Sequence, residues 1–100
     1  MNVAFLPAAE QDLVELFSYI QNELQNPIAA RKIATKLLQR TKSLATFPEM
    51  GASMEGLDRR FSGYRYLIVD NYVAIYRVTD QVSVVRILYA RSDYVQLLQS

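Results

Sequence analysis

The chain has 100 residues, 51% of them hydrophobic and 21% charged, and a formal net charge of +1. That profile fits one domain over residues 1–100 and excludes a disordered or collagen-like chain. Neither Cys nor His occurs, which excludes disulfides, thiolate nucleophiles, zinc–thiolate sites and imidazole bases. The chemistry left belongs to Arg, Lys, Tyr, Asp, Glu, Ser and Thr. Met1–Leu6 lacks the basic start of a secretory signal, and no apolar run reaches the roughly 18–20 residues that span a bilayer. A cytoplasmic protein without membrane contact is expected.

Charge is balanced overall and uneven locally. Residues 1–30 hold Glu10, Asp12, Glu15 and Glu23 and no base, while residues 31–46 hold Arg31, Lys32, Lys36, Arg40 and Lys42 and no acid. From residue 59 onward every base is Arg, the better fork for phosphate and the better partner for a stacked base.

In chain order, Asn2–Leu6 reads as a short strand closed by Pro7, which suits the first position of a helix. Leu13, Leu16, Phe17, Ile20 and Leu24 then recur at helical spacing. Glu10 and Asp12 are expected in the first turn of that helix, complementing its dipole. Asn26 caps a second helix with Pro27 at its first position. This helix is expected to run to about Thr46 and to bury Ala30, Ile33, Ala34, Leu37, Thr41 and Leu44. So short a connection predicts an antiparallel αα-hairpin. On the second helix Lys32, Lys36 and Arg40 form a ladder at four-residue spacing with no acid of its own to relieve it. The ladder reads equally as a solvated face or as a footprint for an anionic partner.

Phe47–Ser62 lacks periodicity and reads as a loop. Three runs rich in Tyr, Ile and Val follow, at Tyr64–Val69, Tyr72–Val78 and Val82–Ala90. Asp70-Asn71 predicts a type I′ hairpin and sets Arg65 opposite Tyr76, Leu67 opposite Ala74 and Val69 opposite Tyr72. A second turn at Asp80-Gln81 would put Val85, Ile87, Tyr89 and Arg91 on that same face. The opposite face, with Ile68, Val73, Ile75, Val84 and Leu88, is richer in Ile and Val and is expected to meet the helices, Arg77 and Arg86 reaching its rim. Arg91–Ser100 reads as a terminal helix of about two turns. The fold class is therefore α+β: a short N-terminal strand, an antiparallel helical hairpin, a three-stranded antiparallel meander and a short C-terminal helix.

The run Gly63-Tyr64-Arg65-Tyr66-Leu67-Ile68-Val69-Asp70-Asn71-Tyr72-Val73-Ala74-Ile75-Tyr76-Arg77-Val78 is more specific than this order of elements. So is Val85-Arg86-Ile87-Leu88-Tyr89-Ala90-Arg91-Ser92-Asp93-Tyr94. With Phe5-Leu6-Pro7-Ala8-Ala9 and Phe47-Pro48-Glu49-Met50-Gly51, they resemble the RelE/ParE superfamily, toxins of bacterial type II toxin–antitoxin systems. The resemblance implies a toxin silenced by a cognate antitoxin, with homodimers or toxin–antitoxin hetero-oligomers as its assemblies. Its RelE-like branch cuts mRNA on the ribosome without a metal or cofactor, using the RNA 2′-hydroxyl as nucleophile. Arg65, Arg91 and Tyr94 match catalytic positions of that mRNA interferase pattern, and Arg can stabilise a developing phosphorane. Tyr72 and Tyr89 are candidate stacking residues, and Lys32, Lys36 and Arg40 candidate anion contacts. Two further basic positions of the pattern are Leu67 and Val73 here, its customary His is Tyr89, and the second Arg of its closing pair is Ser92. The alternative implied by these departures is the ParE-like branch, which binds and inhibits DNA gyrase. On that reading the Lys32/Lys36/Arg40 face carries recognition.

Overall fold

The computed structural model describes residues 1–56 and 59–90. Strand β1 (Val3–Phe5) leads into helix α1 (Pro7–Ser18), and a π-helical turn, Tyr19–Glu23, ends that helix. Helix α2 follows (Pro27–Lys42), then strands β2 (Ala52–Ser53), β3 (Tyr64–Val69), β4 (Tyr72–Val78) and β5 (Val82–Tyr89). The sheet order is β1-β5-β4-β3-β2, with β1 parallel to β5 and the other pairs antiparallel. The terminal helix expected over Arg91–Ser100 lies outside the described residues.

The π turn has a direct consequence for the first apolar stripe. Its wider hydrogen bond, from Leu24 N–H to the Tyr19 carbonyl at 3.1 Å, inserts one residue into the helical period. Ile20 stays buried, whereas Leu24 leaves the stripe and is exposed. Gln25 then takes a positive φ of 51° to reverse the chain. Asn26 caps α2 as expected, its Oδ1 accepting from Ala29 N–H at 3.1 Å. The helix stops at Lys42 rather than Thr46, and a 3₁₀ turn, Ser43–Ala45, carries Leu44 into the core.

The β3–β4 register is the one expected, with Arg65 opposite Tyr76, Leu67 opposite Ala74 and Val69 opposite Tyr72. The turn differs in type. Asp70 alone has positive φ, at 54°, which matches the first central position of a II′ turn rather than both positions of I′.

The second turn is longer than expected. Val78 pairs with Val82, leaving three residues between the strands, and Val85 is an extra residue between the Ile75–Arg86 and Tyr76–Val84 pairs. The turn slips the register by one and the bulge restores it. Val82 and Val84 therefore join the helix-facing cluster, and Val85 packs in the opposite one.

The face covered by the helices is also the reverse of the expectation. Leu67, Val69, Ala74, Tyr76 and Ile87 pack with Ala9, Ile20, Ile33, Leu37 and Leu44. Val73, Ile75 and Leu88 form a second core with Met54 and Phe61, from the segment expected to be only a loop. A sheet buried on both sides defeats a choice made on apolar richness, because both faces must be apolar. The small Ala74 sits fully buried on the helix-facing side.

Candidate functional site

Among the described residues, two places gather the chemistry-bearing side chains. The first is a cleft of about 1020 Å³ between the helical hairpin and the β3–β4 turn end of the sheet. Its floor is apolar, from Leu16, Ile20, Ala29, Ile33 and Ile87, with Asp12 and Glu15 on the α1 wall and Lys32 and Lys36 on the α2 wall. Tyr19, Tyr72 and Tyr89 line the same space. Tyr72 and Tyr89 meet edge to face, ring centroids 5.7 Å apart.

Burial pushes the Tyr72 phenol above its ordinary value of 10.0, and the neighbouring Tyr89 and Tyr19 phenols add to that rise. The folded state therefore holds this proton more tightly than the unfolded chain. Stability from the neutral phenol is complete below pH 10 and is lost as pH climbs past it. Denaturant melts on either side of pH 10 should show an alkaline decline that Tyr72→Phe reduces. Equal declines in both proteins would contradict the assignment.

The ladder on α2 does find an acid. Lys36 Nζ lies 2.6 Å from Asp70 Oδ1, across from the β3–β4 turn, with both side chains about half exposed. Sequence spacing did not show this contact because 34 residues separate the pair. Asp12 is a second correction. It lies beyond the first turn of α1 and serves the sheet, accepting from Arg86 Nε at 2.7 Å, Arg86 Nη2 at 3.0 Å and Ile87 N–H at 2.9 Å. The hydrogen bond to Asp12 does most to raise the Arg86 pKa above its ordinary value, against a lowering by burial, and the Asp12 and Glu15 charges add to the rise. Of the acids open to Arg86 at the rim (Asp70, Asp80 or those of the first helix), the partner is Asp12 of α1.

The second place surrounds Arg65. Its Nε donates to the Gly51 carbonyl at 3.0 Å and its Nη2 to the Glu49 carbonyl at 3.2 Å. Opposite it, the fully buried Tyr76 hydroxyl donates to the Pro48 carbonyl at 2.8 Å and accepts from Gly51 N–H at 2.9 Å. Four hydrogen bonds thus fix the 48–51 segment, within which Met50 faces solvent, as does the preceding Phe47. A cation–π contact lies elsewhere on the sheet, with Arg77 5.4 Å from the Tyr64 ring centroid.

The sheet does not bring Arg65 together with Tyr72 and Tyr89. Tyr76, which faces Arg65, stands four residues along β4 from Tyr72, a separation of about 13 Å. Lys32 and Lys36 share the cleft with the two tyrosines, Arg40 lies further along α2, and Arg91 and Tyr94 lie outside the described residues. Asp12, Glu15 and Tyr19 were missed as cleft residues. Their spacing with Leu16 and Ile20 places them on one side of the helix, a signal that was readable. Among the described residues no three acidic side chains gather to hold a metal ion, and no helix is long and apolar enough to cross a membrane.

Comparison with known proteins gives a consistent set of likenesses. A family model described as ParE toxin of the type II toxin–antitoxin system parDE matches residues 3–94. No curated protein sequence matches the chain. Among solved structures, one from the chromosomal ParDE toxin–antitoxin system of P. aeruginosa superposes with a TM-score of 0.75 at 21% identity, covering 91% of this chain and 97% of that one. A chain of the RelBE2 toxin–antitoxin complex of Mycobacterium tuberculosis gives a TM-score of 0.65 at 19% identity, covering 88% of each. At those identities the two structures share the fold.

Proposed function

Because the chain belongs to the ParE toxin family of type II toxin–antitoxin systems, we propose that it acts by binding and inhibiting DNA gyrase rather than by cutting mRNA. The commitment of Arg65 to backbone carbonyls carries this reading. A guanidinium that holds the 49–51 backbone through two hydrogen bonds is poorly placed to meet a phosphorane. Leu67 and Val73, where the RelE pattern has bases, are 5% and 2% exposed and serve the two opposite cores. Converting either to a base would bury a charge.

The antitoxin, on this reading, occupies the cleft between the hairpin and the sheet. An apolar floor between an acidic and a basic wall fits an amphipathic helix whose flanks carry the opposite signs. The relatives found as toxin–antitoxin complexes support such a partner.

A supercoiling assay with purified gyrase and relaxed plasmid tests the target. The expected result is loss of supercoiling as toxin is added, with mRNA left intact in a coupled translation reaction. Full gyrase activity in excess toxin would overturn the proposal. Ribosome-dependent cuts abolished by Arg91→Ala would replace it with the nuclease reading.

A further inference from the structure

Helix α2 carries five bases and no acid. Arg40 and Lys42 stand in its last turn, where cations complement the dipole. Arg31, Lys32 and Lys36 receive no such help, and they line one shallow depression with Thr35 and Gln39. From Arg31 to Lys42 the helix rises about 16 Å at 1.5 Å per residue, which matches the axial rise of about five phosphates of one duplex strand at 3.4 Å each.

We infer that this stripe of α2 is a contact surface for the phosphate backbone of duplex DNA. Three features select that partner. Within the depression the residues beside the cations are Thr35 and Gln39, whose side chains can donate to phosphate oxygens. The depression contains no aromatic or large apolar anchor, which a protein interface would need at its centre. Single-stranded nucleic acid and RNA loops are held by stacking on aromatic side chains, and the depression offers none. Affinity is then electrostatic and independent of sequence.

Among the described residues one carboxylate pairs with this surface. Asp70 holds Lys36 from the β3–β4 turn, in an exposed pair of the kind that solvent largely offsets. Of the acids on the far wall of the cleft, Asp12 is held by Arg86 and Glu15 accepts from Gln11. Asp70→Asn removes the competing charge and keeps the turn, since Asn tolerates positive φ. It should therefore strengthen binding, an effect that damage to the fold would not produce.

The test is fluorescence anisotropy of the full chain with a labelled duplex of about 20 base pairs over a range of salt concentrations. No gyrase or antitoxin is present, so the outcome is separable from the gyrase reading. Binding should fall with salt at a log–log slope of about −3, as expected for three to four phosphates neutralised. A Lys32→Gln/Lys36→Gln double variant should lose about tenfold in affinity, flatten the slope by about two units and keep its helical circular dichroism. D70N should tighten binding a few-fold. The inference is overturned by a slope near zero, by variants that bind as the parent does, or by preference for single-stranded DNA or duplex RNA of equal length.

Discussion

Asp12→Ala should lower the stability of the fold by about 3 kcal/mol, measured as a shift in urea midpoint at unchanged slope. The carboxylate is 11% exposed and accepts three hydrogen bonds, two from Arg86 and one from the Ile87 backbone. Truncation strands a guanidinium that is 30% exposed and leaves a backbone N–H without its acceptor. Each loss costs on the order of 1–3 kcal/mol. Asp12→Asn retains an acceptor for Ile87 but loses the charge, and should fall about midway. A loss under about 0.5 kcal/mol for the alanine variant, the size of a typical surface substitution, would show that the clasp is dispensable.

Gly51→Ala is the second large effect, again about 3 kcal/mol. A Cβ at this position would lie 2.5 Å from the Tyr66 carbonyl oxygen, 2.7 Å from the Tyr76 hydroxyl and 2.8 Å from the Tyr76 ring. The carbonyl belongs to the β2–β3 ladder, and Tyr76 is fully buried, so neither yields cheaply. Gly51 is required for close approach, since its φ is not among the positive ones. Tyr76→Phe, which removes two hydrogen bonds and no volume clash, should cost less, about 1–2 kcal/mol. If Gly51→Ala proved milder than Tyr76→Phe in thermal or urea melts, the clash argument would fail.

The sequence carried its local geometry well. The caps at Asn26 and Pro27, the stripe on α2 and the β3–β4 pairing all follow from residues near each other in the chain. What spacing could not supply was the decision between two apolar faces. Both had to be buried, one by the hairpin and the other by Met54 and Phe61 from an aperiodic segment. The bulge at Val85 was hidden for a related reason. A three-residue turn and one extra strand residue cancel each other over the upper half of β5, so the alternation there looks regular.

The candidate site divided along the same line. Lys32, Lys36, Tyr72 and Tyr89 share a cleft because α2 meets the β3–β4 turn there, whereas Arg65 serves a loop that its own neighbourhood in sequence does not mention. Asp12 was read as a helix-end charge, although its partners lie 74 and 75 residues away. Long-range partners of charged side chains are set by topology, and topology was legible only at the level of element order.

Along its outer margin, β5 is covered in stages, by β1 at Val82–Val84, by Leu6 N–H on the Val84 carbonyl, and then by the Asp12 carboxylate on Ile87 N–H. A side chain here does the work of a neighbouring strand. It occupies a backbone donor that another chain would otherwise copy, which weakens that flank as a template for strand addition.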